Sequence, residues 1–295
     1  MRQPVSTSIY GQIFNVINYA LLFALCVSTL YPFLIILSLS FTSERILTIG
    51  YSASLIPKEV SLEAYRKVLS SDFIKSGYIM TILRTILGTS SSVLVTSFTA
   101  YALSKKYFPH RTFWTMVIVF TMFFSGGMIP SYLLVRKLGL INNILSLILP
   151  PLVNTFNMVI MRNYFMTVPE SLEESAKIDG ANDILILFRI IIPVSKSIIA
   201  TITLWVAVWH WNAWFDSLIY TTKPSLQVLQ VVLRRVILEG SQMVESVTAR
   251  DDTYRVSTEK IKAATIMVTT LPIILVYPFI QKYFIRGIMI GSLKG

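Results

Sequence analysis

Pro169-Glu170-Ser171-Leu172-Glu173-Glu174-Ser175-Ala176-Lys177-Ile178-Asp179-Gly180-Ala181, followed by Phe188 and by Ile190-Ile191-Ile192-Pro193, is a polar island between two long apolar stretches. Its surroundings are composed for lipid. Of 295 residues, 54% are hydrophobic and 14% charged, with a mean hydropathy of +0.65; a soluble domain carries roughly a quarter of charged residues. A water-loving segment inside such a chain predicts a polytopic membrane protein with a soluble element held between spans.

Six windows are long enough to cross, as helices, a hydrocarbon core about 30 Å thick: about 12–40, 77–104, 112–134, 140–165, 194–220 and 260–284. They make one all-α bundle. Residues 1–76 form an N-terminal span with an outer loop, and residues 77–295 form the core. The first window, Phe14 to Phe41, is too long for the apolar core of a cleaved signal and lacks a small-residue cleavage site, so a retained helix is expected. Gly126-Gly127 with Pro130 falls in the third window and Pro150-Pro151 in the fourth. Both predict kinks or breaks where neighbours satisfy the freed backbone groups. Ser61 caps a short amphipathic helix reaching Leu69. The 221–259 segment, with Ala249-Arg250-Asp251-Asp252-Thr253-Tyr254-Arg255, is an outer loop that suits docking and plain connection equally.

Cys26 is the only cysteine, which excludes an intrachain disulfide and a multi-cysteine metal site. No metal set and no catalytic cluster is expected. The net charge of +11 is scattered over spans and loops without aromatic interleaving. That pattern speaks against nucleic acid and suits anionic membrane lipid. Lys105, Lys106 and Arg111 in one short connection outnumber Arg136 and Lys137 in the other, a narrow preference for a cytoplasmic N-terminus. Arg84, Arg162 and Asp216 read as span-end residues whose side chains reach toward water.

Within the polar island, Thr167 can cap a helix that starts near Val168, with Pro169 in its first turn and Glu170 completing a capping box. Gly180 suits the left-handed position that ends helices. Asn182 or Asp183 caps a second helix carrying Ile184, Leu187 and Phe188, stopped by Pro193. The dipole of the first helix accounts for Glu170, Glu173 and Glu174 near its start. The small residues Ser175, Ala176, Gly180 and Ala181 need another reason: they let a second backbone approach closely, as a helix inserted into a partner's groove requires.

Glu174-Ser175-Ala176, Gly180 after three residues, and Ile190, Ile192 and Pro193 beyond it resemble the loop of permease subunits of ABC importers served by binding proteins. Ser175 stands where that family usually has alanine. Ile178-Asp179-Gly180-Ala181, Trp211-Asn212-Ala213-Trp214-Phe215-Asp216, and the ending Tyr277 to Phe284 with Gly287, Gly291, Lys294 and Gly295 are similar to the carbohydrate branch. Within it, the subgroup linked to complex oligosaccharides and polysaccharide fragments is the nearer. The resemblance covers about 77–295. It implies a six-helix permease bundle with a cytoplasmic coupling helix-turn-helix at about 167–193. Glu173, Glu174, Ser175, Ala176, Asp179, Gly180, Ala181, Phe188 and Pro193 then become the ATPase-coupling residues. The implied partners are a second homologous permease subunit, two ATPase subunits, an extracytoplasmic saccharide-binding protein and a saccharide. The implied location is the bacterial cell membrane, multi-pass, with both termini cytoplasmic. ATP and Mg would be bound by the ATPase; this chain shows no Gly-x-x-x-x-Gly-Lys-Ser/Thr loop, so a transport subunit without cofactor or enzymatic site is expected.

The fifth window holds Trp205, Trp209, His210, Trp211, Asn212, Trp214, Phe215 and Asp216. Aromatic faces and amides suit a sugar. Trp214 and Phe215 read rather as an interfacial belt. Trp209 and Asn212 remain as substrate-pathway residues, and Asn154 and Asn157 stand equally for a polar pathway or for bonds across helices. His210 reads as a hydrogen-bonded helix histidine rather than a ligand. Two other functions compete: an integral-membrane enzyme acting on lipid-linked sugar, which needs clustered acids or a metal set, and an ABC permease for amino acids or peptides, against which the Trp-rich segment and the C-terminal ending stand by resemblance.

Overall fold

The computed structural model describes residues 9–43, 46, 55–238 and 258–292, with side chains in the last helix up to Leu275 and at Pro278. The 249–255 run and most of the C-terminal ending lie outside these described residues. The helices are α1 (Ile9–Phe41), α2 (Glu63–Ser70), α3 (Asp72–Ser104), α4 (Arg111–Phe120), α5 (Met128–Lys137), α6 (Leu145–Ile148), α7 (Thr155–Phe165) and α8 (Glu170–Ile178). Then come α9 (Asp183–Val194), α10 (Lys196–Asn212), α11 (Phe215–Tyr220), α12 (Leu229–Leu238) and α13 (Thr258–Ser292). Among the described residues, the one β pairing is an isolated bridge between Thr42 and Val60.

The chain forms two compact units, residues 1–70 with 236–268 and residues 71–235 with 269–295. In the first, residues 12–32 of α1 are exposed, as an apolar stem made for lipid or a partner subunit would be. Its C-terminal end is tied down: Phe41 packs on Tyr65 with ring centroids 4.9 Å apart, Ser40 shares a 2.7 Å hydrogen bond with the Tyr65 hydroxyl, and the Ser61 N–H donates to Phe41 O at 2.7 Å. Ser61 accepts from the Glu63 N–H at 3.3 Å, so it caps α2 as the sequence predicts.

The second unit is organised around α3, 33 residues without a proline. Gly77, Thr81, Gly88, Ser92, Thr96, Ala100 and Ser104 are buried at intervals of about one helical turn, with the buried Arg84 filling the two-turn step between Thr81 and Gly88. In lipid there is no hydrophobic drive between helices, so small side chains that admit close backbones do the packing. Against this stripe lie α7 and α10. Ala100, Tyr101 and Leu103 of α3 close a core with Met158, Met161 and Phe165 of α7, Ile186, Leu187 and Ile191 of α9, and Ile202 and Val206 of α10. Gly77 has a specific reason to be glycine: a Cβ there would stand 3.1 Å from Leu229 Cα.

Among the described residues, two helices, α1 and α3, are long and apolar enough to cross a membrane; α9 and α10, joined at an 89° bend, are a third candidate when taken as one span. The third window is broken between Phe120 and Met128, and the fourth between Ile148 and Thr155, at the glycine pair and the proline pair. Two expectations need correction. The fifth window is not one helix: it breaks at Ala213-Trp214, because Arg84 takes the Ala213 carbonyl and holds Asp216 on the far side of the break. Pro193 does not stop α9, which relaxes into a π-helical turn over Leu187–Ile191, with Ile192 N–H reaching Leu187 O, and continues to Val194 before the bend. The wider turn accommodates a residue that lacks a donor.

Candidate functional site

Two places gather the residues predicted to function. The first is the loop. Its expected capping box is absent: Thr167 Oγ1 donates to Tyr164 O at 2.7 Å, Val168 is buried in the core, and α8 begins at Glu170 after Pro169. Packing of Val168 fixes the chain before Thr167 can turn back. The end of α8 is as expected. Gly180 has φ +81°, its N–H donates to Lys177 O at 3.0 Å, and the Ala181 N–H reaches Ala176 O at 2.9 Å, the two bonds of a Schellman ending. Asn182 Oδ1 then caps α9 by accepting from the Leu185 N–H at 2.9 Å.

The helix pair has two chemically distinct faces. Inward, Glu173 is buried and ion-paired with Lys105, with the Tyr101 hydroxyl donating to it at 3.5 Å, and Ala176 and Ala181 pack on the core. Phe188 is exposed and meets Phe98, also exposed, edge-on at 5.7 Å. Outward, Glu174, Ser175, Asp179, Gly180 and Pro193 are exposed, together with the apolar side chains of Leu172, Ile178, Ile184, Leu185 and Phe188, of which Ile178 (86% exposed) and Ile184 (61%) are the most open. A ring of polar contacts secures the rim: Lys106 to Glu170 at 2.7 Å, Tyr107 hydroxyl to Asp183 at 2.9 Å, and Lys177 over the Tyr107 ring at 4.2 Å. The hydrogen bond from Lys106 holds the Glu170 carboxyl below its usual range. Burial, and then the Asp183 carboxylate, push the Tyr107 hydroxyl up.

The second place is a groove beside the α10/α11 break. A cavity of about 1010 Å³ is lined by Pro150, Trp205, Val208, Trp209, Asn212, Trp214 and Asp216 among others. A second, of about 310 Å³, shares Pro151, Trp205 and Trp209 with it and adds Ser92, Asn154, Asn157 and His210. The four predicted pathway residues therefore fall on two adjoining cavities. Asn154 Oδ1 caps α7 through the Asn157 N–H at 3.0 Å, and the Asn212 amide donates to Val208 O at 2.8 Å. Trp214 is covered by Arg234, 4.2 Å from its ring centroid, so it is held by the protein as well as facing the cavity.

Behind this groove stands a cluster that sequence reading placed wrongly. Arg84 is fully buried, not snorkelling: it grips Asp216 with both Nη atoms, donates to Ala213 O at 3.0 Å, and turns Nε to His210 Nδ1 at 3.4 Å. Its guanidinium also lies 5.7 Å from the Trp209 ring centroid. His210 is buried against Gly88, where a Cβ would come within 2.5 Å of the imidazole. Arg162 donates to Leu103 O at 3.0 Å and so bonds across helices. The available signal for Arg84 was its position, 12 residues inside α3 and away from either end.

Residues 69–290 match the family described as binding-protein-dependent transport system inner membrane component. The polygalacturonan/rhamnogalacturonan transport system permease protein YtcP of Bacillus subtilis (strain 168) is 39% identical over 286 residues, covering 97% of this chain and 99% of that protein. The trehalose/maltose transport system permease protein MalG of Thermococcus litoralis is 26% identical over 276 residues, 90% of this chain and 92% of that protein. Among solved structures, a chain from the crystal structure of a bacterial ABC transporter involved in the import of the acidic polysaccharide alginate aligns with a TM-score of 0.87 and 34% identity. The alignment covers 96% of this chain and all of that one.

Proposed function

We propose that this chain, which belongs to the family of binding-protein-dependent transport system inner membrane components and is the permease of a polysaccharide or oligosaccharide ABC importer, is driven through its 167–193 loop by a separate ATPase. Membership of the family carries with it a partner ATPase and a binding protein. In our reading the assembly holds a second homologous permease and two ATPase subunits, which bind ATP and Mg. The six windows are its spans, three of them broken, the loop faces the cytoplasm with both termini, and the 221–259 segment faces outward.

The observation that carries this reading is the two-faced helix pair. Its inner face is bonded into the bundle, while its outer face offers small and acidic residues with Ile178 and Ile184 at the tip. Exposed apolar side chains on a polar hairpin suit insertion into a partner's cleft. Glu174, Ser175, Asp179 and Gly180 are then contact residues, and Glu173, Ala176, Ala181 and Phe188 hold the pair in place. ATP-driven closure of the ATPase pair moves the loop, and the permeases rock between inward-facing and outward-facing states. The saccharide passes the groove of Trp209, Asn212, Asn154 and Asn157, whose aromatic faces and amides meet its C–H faces and hydroxyls.

The test is uptake with a pull-down. Gly180→Pro forces a residue restricted to φ near −65° into a φ of +81°, and Glu174→Lys reverses an exposed charge. Both variants are expected to insert in the membrane, lose the ATPase on purification and abolish uptake. Normal uptake with the ATPase bound refutes the docking assignment.

A further inference from the structure

We infer that α3 is the element that carries movement from the loop to the groove, with Lys105 and Arg84 as the positioning residues at its two joints. The inference rests on the reading of the 167–193 loop as the ATPase-docking element.

Three observations lead to it. The loop's polar attachments converge on the C-terminal end of α3 and the residues just after it. Tyr101 and Lys105 meet Glu173, Lys106 meets Glu170, and Tyr107 meets Asp183, so both helices of the hairpin are held by one short stretch of chain. The Lys105–Glu173 pair is nearly buried, with side-chain exposures of 11% and 9%, so water screens it far less than the exposed Lys106–Glu170 pair.

About 30 Å back along the helix axis, 12 residues in from the start of α3, Arg84 is bound on both sides of the α10/α11 break, to Ala213 O before it and Asp216 after it. Asp216 and Trp209, which flank that guanidinium, line the large groove. A displacement of α3 therefore changes the angle of a break that forms the groove wall.

The alternative routes are mechanically poorer. The covalent route from α9 to α10 passes a π-helical turn and an 89° bend. The segments α4/α5, α6/α7 and α10/α11 are each interrupted. Among the described residues of this unit, α3 is the one unbroken span-length helix that lies wholly within it. A stiff rod with two charged joints along it transmits a push that broken helices absorb by bending at their breaks.

The experiment uses the complete importer, with partner permease, ATPase and binding protein, in proteoliposomes. Cys26 is replaced by serine, Val208→Cys is placed in the groove, and a membrane-impermeant maleimide is the probe, so the saccharide's identity is not needed. Non-hydrolysable ATP is expected to change the labelling rate at position 208 by about fivefold or more. Lys105→Met should keep the ATPase bound and hydrolysing while that change falls below about twofold. Lys105→Arg, and the exchange Lys105→Glu with Glu173→Lys, should restore it. At the second joint, Arg84→Met with Asp216→Leu removes both charges at once and should uncouple in the same way; if it fails to insert, the Lys105 series alone decides. The inference is overturned if Lys105→Met keeps the full labelling change with the ATPase bound. It is equally overturned if Lys105→Met loses the ATPase, because the pair then serves docking alone. Failure of the docking reading itself is separate: it shows as Gly180→Pro retaining the ATPase and transporting normally.

Discussion

Arg84 shows how one side chain decides local shape inside lipid. A buried guanidinium is tolerable only when its charge is matched and its donors used, and here Asp216, Ala213 O and His210 take them. Removing one partner leaves the other charge buried alone, so Arg84→Met is expected to destabilise the protein by about 3–5 kcal/mol. The paired replacement Arg84→Met with Asp216→Leu should recover most of that loss, read as the thermal transition of the detergent-purified permease. Gly88 belongs to the same cluster. Its Cβ in Gly88→Ala would meet an imidazole that Arg84 and burial keep from moving away, so a loss of about 1–3 kcal/mol is expected in the same assay. His210 was legible as a hydrogen-bonded helix histidine, but its partner and the ion pair were not: Arg84 and Asp216 are 132 positions apart, and separation hides a partner that only tertiary packing supplies.

Local elements were far more legible, because their determinants lie within a few residues. The Gly180 ending, the Asn182 cap and the Ser61 cap all follow from backbone chemistry that each residue type carries with it. The Thr167 cap failed because burial of Val168, a tertiary effect, outweighed a local preference. The packing stripe of α3 was written in plain view at intervals of about four residues, yet hydropathy alone passes over small residues. That stripe makes a prediction. Ser92 and Thr96 are buried where neighbouring helices come close, so Thr96→Leu should overpack the core by about 1–3 kcal/mol. Ile86→Leu, at an exposed position of the same helix, should leave the melting temperature within about 2 °C. Equal effects at the two positions would remove the distinction between buried and exposed positions of α3.

At the scale of the molecule, the reading stands or falls on which side of the membrane the loop faces, and charge left that narrow. Lys105, Lys106 and Arg111 against Arg136 and Lys137 is a difference of one basic residue between two short connections. Two exposed positions in the core unit can settle it: Ile178 at the tip of the loop hairpin, and Leu138 at the end of α5, beside Arg136 and Lys137. With Cys26 replaced by serine, Ile178→Cys and Leu138→Cys are each offered to a membrane-impermeant maleimide in sealed vesicles of both orientations, without the ATPase that would shield the tip. A cytoplasmic loop requires Ile178→Cys to label in inside-out vesicles and stay protected in right-side-out ones, with Leu138→Cys showing the reverse. Labelling of both from the same side would place the two connections together. An ATPase in the cytoplasm could not then drive this loop while the 136–143 connection faced the binding protein.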